Sequence, residues 1–233
     1  MEGSNNRNLK AYDYLAYIYD ELLGDADAFK LWLKEIENEK FNDVLELASG
    51  SGVLANILKE KGYNIIASDI SSSMKDAAKR NYDGEYLILN MTNYSLNKKF
   101  DLILCVCDSI NYLEEDELNS FFKCAYDHLK ENGRLIFDMH HKSRIDEFME
   151  EYIEEGQISD IKYQWTINSD AYSNMINEHF TFYTGDGMIQ EQHTQHVFDS
   201  DIIVKKMEAI GFKVKCIDEF VKNEKILIVG RKW

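Results

Sequence analysis

Asp43-Val44-Leu45-Glu46-Leu47-Ala48-Ser49-Gly50-Ser51-Gly52 is a short apolar run closed by small residues, the pattern of a buried strand, a glycine-rich turn and a helix start. Small residues at 48, 50 and 52 let the main chain approach a ligand closely, and the open amides of the next helix favour electron-rich groups. Ile65-Ile66-Ala67-Ser68 makes a second strand, delivering Asp69 to the same edge of a parallel sheet, where a carboxylate accepts hydrogen bonds from a ribose diol. The turn lacks the third glycine of G-x-G-x-x-G, and Glu46 stands four residues before Gly50. That suits a cationic or amine-bearing ligand better than a pyrophosphate. Taken alone, the turn also reads as an ordinary tight β-to-α connection.

Composition narrows the function. At 233 residues and 45% hydrophobic content the chain can bury a sizeable core. A formal charge of −16 argues against a nucleic-acid partner, since phosphate binding draws on lysine and arginine; the basic run Lys205, Lys206, Lys213, Lys215, Lys222, Lys225, Arg231 and Lys232 reads as a solvated surface. Cys105, Cys107, Cys124 and Cys216 show no C-x-x-C spacing, two sit on an expected buried strand, and all read as reduced core thiols. The N-terminus has no apolar signal core and no run approaches membrane-spanning length, so a cytoplasmic protein with no membrane partner is expected.

Short apolar runs alternate with amphipathic stretches. Two lead-in helices are expected over 8–37. Strands follow at about 43–47, 64–68, 86–90, 101–106 and 134–139, with helices near 53–61, 72–80 and 115–130, the last closed by Asn132-Gly133. From 157 to 198 the texture turns to alternation, with Thr184-Gly-Asp-Gly187 as a hairpin turn. A helix at 201–210 and strands at 212–220 and 225–231 end the chain as a hairpin. The fold class is therefore α/β: a Rossmann-like doubly wound mixed sheet with a C-terminal antiparallel hairpin, plus an inserted antiparallel β-sheet. Residues 1–38 form N-terminal helices, 39–142 and 200–233 the core, and 143–199 a helix plus antiparallel β insertion.

Glu46-Leu-Ala-Ser-Gly50-Ser-Gly52 resembles the E-x-G-x-G-x-G first motif of class I S-adenosylmethionine-dependent methyltransferases, with Ala48 where the first glycine is usual. Asp69-Ile-Ser-Ser-Ser-Met74 looks like the family's second motif, Leu89-Asn90-Met91 like the third, where Asp is usual, and 101–113 and 133–138 like its fourth and fifth strand segments. The terminal hairpin fits too. The resemblance covers roughly 40–140 and 200–233. It implies S-adenosyl-L-methionine as cofactor, held by Tyr19, Glu46, Ala48, Ser49, Gly50, Gly52, Asp69, Ile70, Met74, Asn90, Met91 and Cys107. Asn90 reads alternatively as a turn residue at a strand end.

Methyl transfer needs alignment more than acid or base machinery, so acceptor residues belong on loops after the fourth and fifth strands and on the insertion. Asp108, His140 and His141 are the catalytic candidates; Tyr12, Asn111, Tyr112, Glu191 and His193 are the substrate-binding ones. Asp108 and Asn111 read equally as caps for a helix near 114, and the two histidines as satisfied loop residues. In Gln190-Glu191-Gln192-His193-Thr194-Gln195-His196 a strand puts Glu191, His193 and Gln195 on one face and His196 on the other, which with no cysteine partner argues against a metal. The resemblance thus implies a methyltransferase acting on a nitrogen or oxygen of a small molecule, with the insertion as a substrate lid or a homodimer surface. A nicotinamide-dependent oxidoreductase and a non-catalytic cofactor-binding regulator are the alternatives.

Overall fold

The structure is a computed structural model that describes residues 11–24, 29–37, 40–185 and 187–233. Seven strands form one sheet: β1 (Asp43–Glu46), β2 (Asn64–Asp69), β3 (Glu85–Ile88), β4 (Phe100–Cys105), β5 (Leu129–His140), β10 (Phe212–Val221) and β11 (Lys225–Lys232), in the order β10-β11-β5-β4-β1-β2-β3. The first five run parallel, and β11 pairs antiparallel with β5 and β10. The central strands carry unbroken apolar runs, Val44-Leu45, Ile65–Ala67 and Leu102–Cys105, because both faces are covered. In β4, Leu102 and Leu104 pack with Val44, Leu54 and Leu58 on one side, whereas Ile103 and Cys105 pack with Phe121, Phe122 and Phe137 on the other. Each such buried side chain contributes roughly 1.5–3 kcal/mol.

The helices follow their local signals. α1 (Leu15–Leu23) and α2 (Phe29–Ile36) are the lead-in pair; residues 8–10 and 25–28 of that expectation lie outside the described residues. α3 (Val53–Glu60) leaves the glycine turn, and α4 (Ser72–Ala78) is capped by Ser71 Oγ, which accepts from the Met74 amide at 3.1 Å. α5 (Leu118–His128) ends earlier than its sequence suggests: Leu129 is already extended, and Asn132 rather than Gly133 takes the left-handed conformation, φ 64°, as β5 enters the sheet. α7 (Ser200–Ile210) closes on Gly211.

The insertion is a four-stranded antiparallel sheet, β6 (Tyr152–Ile158), β7 (Ile161–Asp170), β8 (Met175–Thr184) and β9 (Gly187–His196), reached through α6 (Ser143–Glu147). Its first strand starts before the alternation expected from 157, because an edge strand with outward charges carries no clean alternation. Thr184 pairs with Gly187 at the β8–β9 turn; Asp186 lies outside the described residues. α1 fastens this sheet to the core. Its Leu15 and Ile18 pack on Phe180 and Phe182, while Ala16 packs on Met74 and Ala77 of α4. The helix therefore spans the gap above the carboxyl ends of β1, β2 and β4, where strand order reverses and ligands bind in such sheets. No described helix is long and apolar enough to cross a membrane.

Candidate active site

At that switch point a cavity of about 1430 Å³ opens between the sheet edge, α1 and β8–β9. A single small ligand typically occupies about 300–1,000 Å³, so there is room for two reactants side by side. The glycine turn forms one wall. Gly50 has φ 54°, and a Cβ built there would meet nothing within 4 Å, so its surface is open backbone. Gly52, φ 77°, serves packing: a Cβ would lie 3.0 Å from Tyr82 Cβ, and the residue does not line the cavity. Ala48 also takes a left-handed conformation, φ 51°, as do Cys107, Asp108 and Tyr12 at 60°, 59° and 71°. Such strain in non-glycine residues costs about 1–3 kcal/mol each and concentrates where function over-determines the backbone.

Glu46, only 3% exposed, accepts from Ser49 Oγ at 2.7 Å, and burial together with nearby Asp69 pushes its carboxyl up to about 8. Asp69 ends β2 and ties the turn together, accepting from the amides of Gly50 at 3.0 Å and Ser71 at 2.9 Å; burial raises its pKa. Ala48, Ser49, Ile70, Met74, Asn90, Met91, Cys107 and Tyr19 complete the wall. Asn90 Oδ1 accepts from both the amide and the hydroxyl of Thr92, at 2.9 and 2.8 Å. Its acceptor atom is thus turned to its own loop, as the turn reading anticipates.

Asp20 of α1 is a cavity residue the sequence did not single out. It accepts from Ser51 Oγ and from Asn81 Nδ2, pinning α1 to the glycine turn. Nothing local marks it; the contact joins residues far apart in the chain.

The three catalytic candidates are not part of the cavity wall. Asp108 pairs with Lys225 Nζ and lies 3.4 Å from His140 Nδ1. Beside it Asp138, fully buried, accepts from the amides of Cys107 at 2.7 Å and Asp108 at 3.1 Å, from Trp32 Nε1 at 3.1 Å and from Lys225 Nζ at 3.2 Å. Burial pushes Asp138 up to about 6; for Asp108 burial acts the same way, but Lys225 and His140 outweigh it and its pKa falls. Burial lowers His140. This network braces the strained Cys107-Asp108 corner from behind. Its key members, Asp138 and Lys225, come together because Lys225 is opposite His140 and Leu227 opposite Asp138 in the β5–β11 register.

His141 Nδ1 accepts from the Ser143 amide at 3.2 Å, a satisfied loop histidine at the start of α6. Asn111 is buried off the cavity, donating to the His196 carbonyl and accepting from the His140 amide at 3.1 Å. Neither it nor Asp108 caps α5, which starts at Leu118 behind Glu117.

On the insertion side Glu191, His193 and Gln195 are buried together on one face of β9, whereas His196, on the other face with Gln190, Gln192 and Thr194, lines the cavity and lies 3.1 Å from Glu114. Glu191 borders the cavity, but its oxygens hold the α1 entry: they accept from the amides of Tyr14, Leu15 and Tyr12, the last two at 3.1 Å. His193 lies behind Tyr12 and Tyr112, which do face the cavity. Among the described residues no group of three or more His, Cys, Asp or Glu is arranged to hold a metal ion.

Residues 44–133 match the model of a methyltransferase domain family. A protein of Geobacillus sp. (strain WCH70), designated a methyltransferase with no stated acceptor, is 28% identical over 220 residues, 87% of this chain and 89% of its own. Among solved structures, a S-adenosylmethionine-dependent methyltransferase from Clostridium acetobutylicum is 25% identical with TM-score 0.78, covering 95% of this chain and 98% of that one. A sugar N-methyltransferase from a Streptoalloteichus species shares the fold at TM-score 0.79 with 17% identity, over 94% of this chain and 93% of its own.

Proposed function

We propose that this chain, which belongs to the class I S-adenosylmethionine-dependent methyltransferases and takes S-adenosyl-L-methionine as its cofactor, methylates the nitrogen of a small-molecule amine. One observation carries the choice of nitrogen over oxygen. Besides Glu46, which burial keeps protonated near neutrality, the described residues lining the cavity include the acids Asp20, Asp69, Glu114, Glu117 and Glu191, a single histidine, His196, and no lysine or arginine. A cleft lined by one sign of charge concentrates the opposite sign, here a cationic acceptor. The fold-sharing sugar N-methyltransferase is consistent with this reading.

The residues fit the cofactor. Gly50 leaves open backbone where a ligand can lie, and Glu46 is a buried acid short of a cation. Glu46 with the turn takes the amino-acid end, Asp69 the ribose, and Met74, Asn90 and Met91 the adenine. When bound, the sulfonium supplies an activated methyl group and a neutral thioether leaving group. The chain's own task is then geometry and charge. Tyr12, Tyr19 and Tyr112 wall the space beside the acceptor, the carboxylates hold it as a cation until its proton leaves, and α1 with β9 keeps bulk water out. Asp108, His140 and Asp138 act from behind by fixing the Cys107 corner. Incubation with cofactor and paired amines and alcohols tests the assignment: methylated amine is expected, and methylated alcohol alone overturns it.

A further inference from the structure

One hydrogen-bonded chain runs from the cavity into the protein. The hydroxyls of Tyr12 and Tyr112 are 2.6 Å apart, the Tyr112 hydroxyl is 3.2 Å from His193 Nδ1, and His193 Nε2 is 3.4 Å from Glu191 Oε2. Its direction is set at the inner end. Glu191 takes backbone N–H groups on both oxygens, so as a carboxylate it offers only acceptor capacity. His193 must then donate from Nε2, which in a neutral imidazole leaves Nδ1 as an acceptor. Tyr112 directs its one hydrogen to Nδ1 and accepts from Tyr12. Tyr12, which lines the cavity, directs its one hydrogen to Tyr112, so any further hydrogen bond its oxygen makes is one it accepts.

We propose that Glu191 and His193 are positioning residues that, through Tyr112, hold Tyr12 as a hydrogen-bond acceptor, so that the site selects a positively charged nitrogen bearing an N–H. The inference rests on the amine reading above and adds the device that enforces it. The same carboxylate that fixes the polarity of the Tyr12 phenol also holds its backbone, at φ 71°, through the amide. The other groups facing His193 leave that direction intact. Glu178, opposite it on β8, accepts from Trp165 Nε1 at 3.0 Å, and the Tyr12 and Phe180 rings lie edge-on at 4.6 and 5.3 Å.

The test is nuclear magnetic resonance on the full chain, ¹⁵N-labelled at histidine and saturated with S-adenosylhomocysteine, titrated with trimethylammonium and with tetramethylammonium. The two cations share charge and nearly share size, but only the first has an N–H. His193 is expected as the Nε2–H tautomer. Trimethylammonium is expected to bind about tenfold tighter or more, the effect of a charge-assisted hydrogen bond. That preference disappears in Tyr12→Phe and shrinks in Tyr112→Phe, where the Tyr12 hydrogen is released to turn outward. An Nδ1–H tautomer, equal affinities in the parent, or an undiminished preference in Tyr112→Phe overturns the proposal while leaving the amine reading intact. If neither cation binds the S-adenosylhomocysteine complex, the amine reading falls and this inference falls with it.

Discussion

Glu46→Gln separates a charge-tuned cofactor site from a mere turn. The Glu46 carboxyl is pushed from its ordinary 4.5 up to about 8, chiefly by burial, with Asp69 adding to the rise and Ser49 opposing it. A folded-state value above the unfolded one means that the folded protein holds the extra proton between about 4.5 and about 8, so this group's contribution to stability declines as pH rises through that window. At pH 7 the carboxyl is therefore mostly protonated. An ammonium set against the carboxyl reverses the balance, so binding the amino end of S-adenosylhomocysteine expels protons at pH 7. Glutamine keeps the shape but has neither proton nor charge to give. It loses a charge-assisted hydrogen bond of about 1.5–3 kcal/mol, or about 10–150-fold in Kd. Calorimetry in buffers of different ionisation enthalpy reads both quantities: the parent's binding enthalpy tracks the buffer and the variant's does not. The variant also loses the decline in stability between pH 4.5 and 8. A buffer-independent enthalpy in the parent, with unchanged affinity in Glu46→Gln, refutes the reasoning.

Asp69→Ala is expected to weaken S-adenosylhomocysteine binding by about 1–3 kcal/mol, and Asp69→Glu by less, because the carboxylate braces the Gly50 amide and, on the function proposed above, takes the ribose; an unchanged Kd in the folded protein removes Asp69 from the site. Asp138→Ala leaves Lys225 and three N–H donors without their shared acceptor and should cost about 3–5 kcal/mol, the effect of stripping one partner from a buried charge network. Its melting temperature should fall on the order of 10 °C in a thermal scan, and a shift of only a degree or two would show that the Cys107 corner stands unaided.

Much of the architecture was legible because it rests on periodicity and composition. The doubly buried strands 43–46, 64–69 and 100–105 each carry an unbroken apolar centre, Val44-Leu45, Ile65-Ile66-Ala67 and Leu102–Cys105, and the closing hairpin sets an alternating strand against the apolar run Ile226–Val229 across a short polar turn. The start of β6 was missed because an edge strand need bury neither face. At the site, the glycine turn and Asp69 were legible because they are local and conformationally demanding, and most of the cofactor residues named from the sequence do line one cavity. Asp108, His140 and His141 do not line the cavity, and the reason is physical: a position near the carboxyl end of a strand fixes the neighbourhood but not whether the side chain turns to the cavity or behind it. Asp20, Asp138 and Lys225 carry no local signal, since each matters through a partner brought close by strand register or helix packing. Left-handed Ala48 is invisible in the same way, alanine having no preference for that conformation.

The most direct test of the acid-walled cavity as an amine site is a competition. The full chain is incubated with S-adenosylmethionine and an equimolar mixture of small amines and the alcohols of matching carbon skeleton, and the products are resolved by mass spectrometry. The cavity described above predicts that methyl groups appear on amine nitrogen in step with S-adenosylhomocysteine, while the matched alcohols stay unmodified. Methylated alcohols beside untouched amines would contradict it.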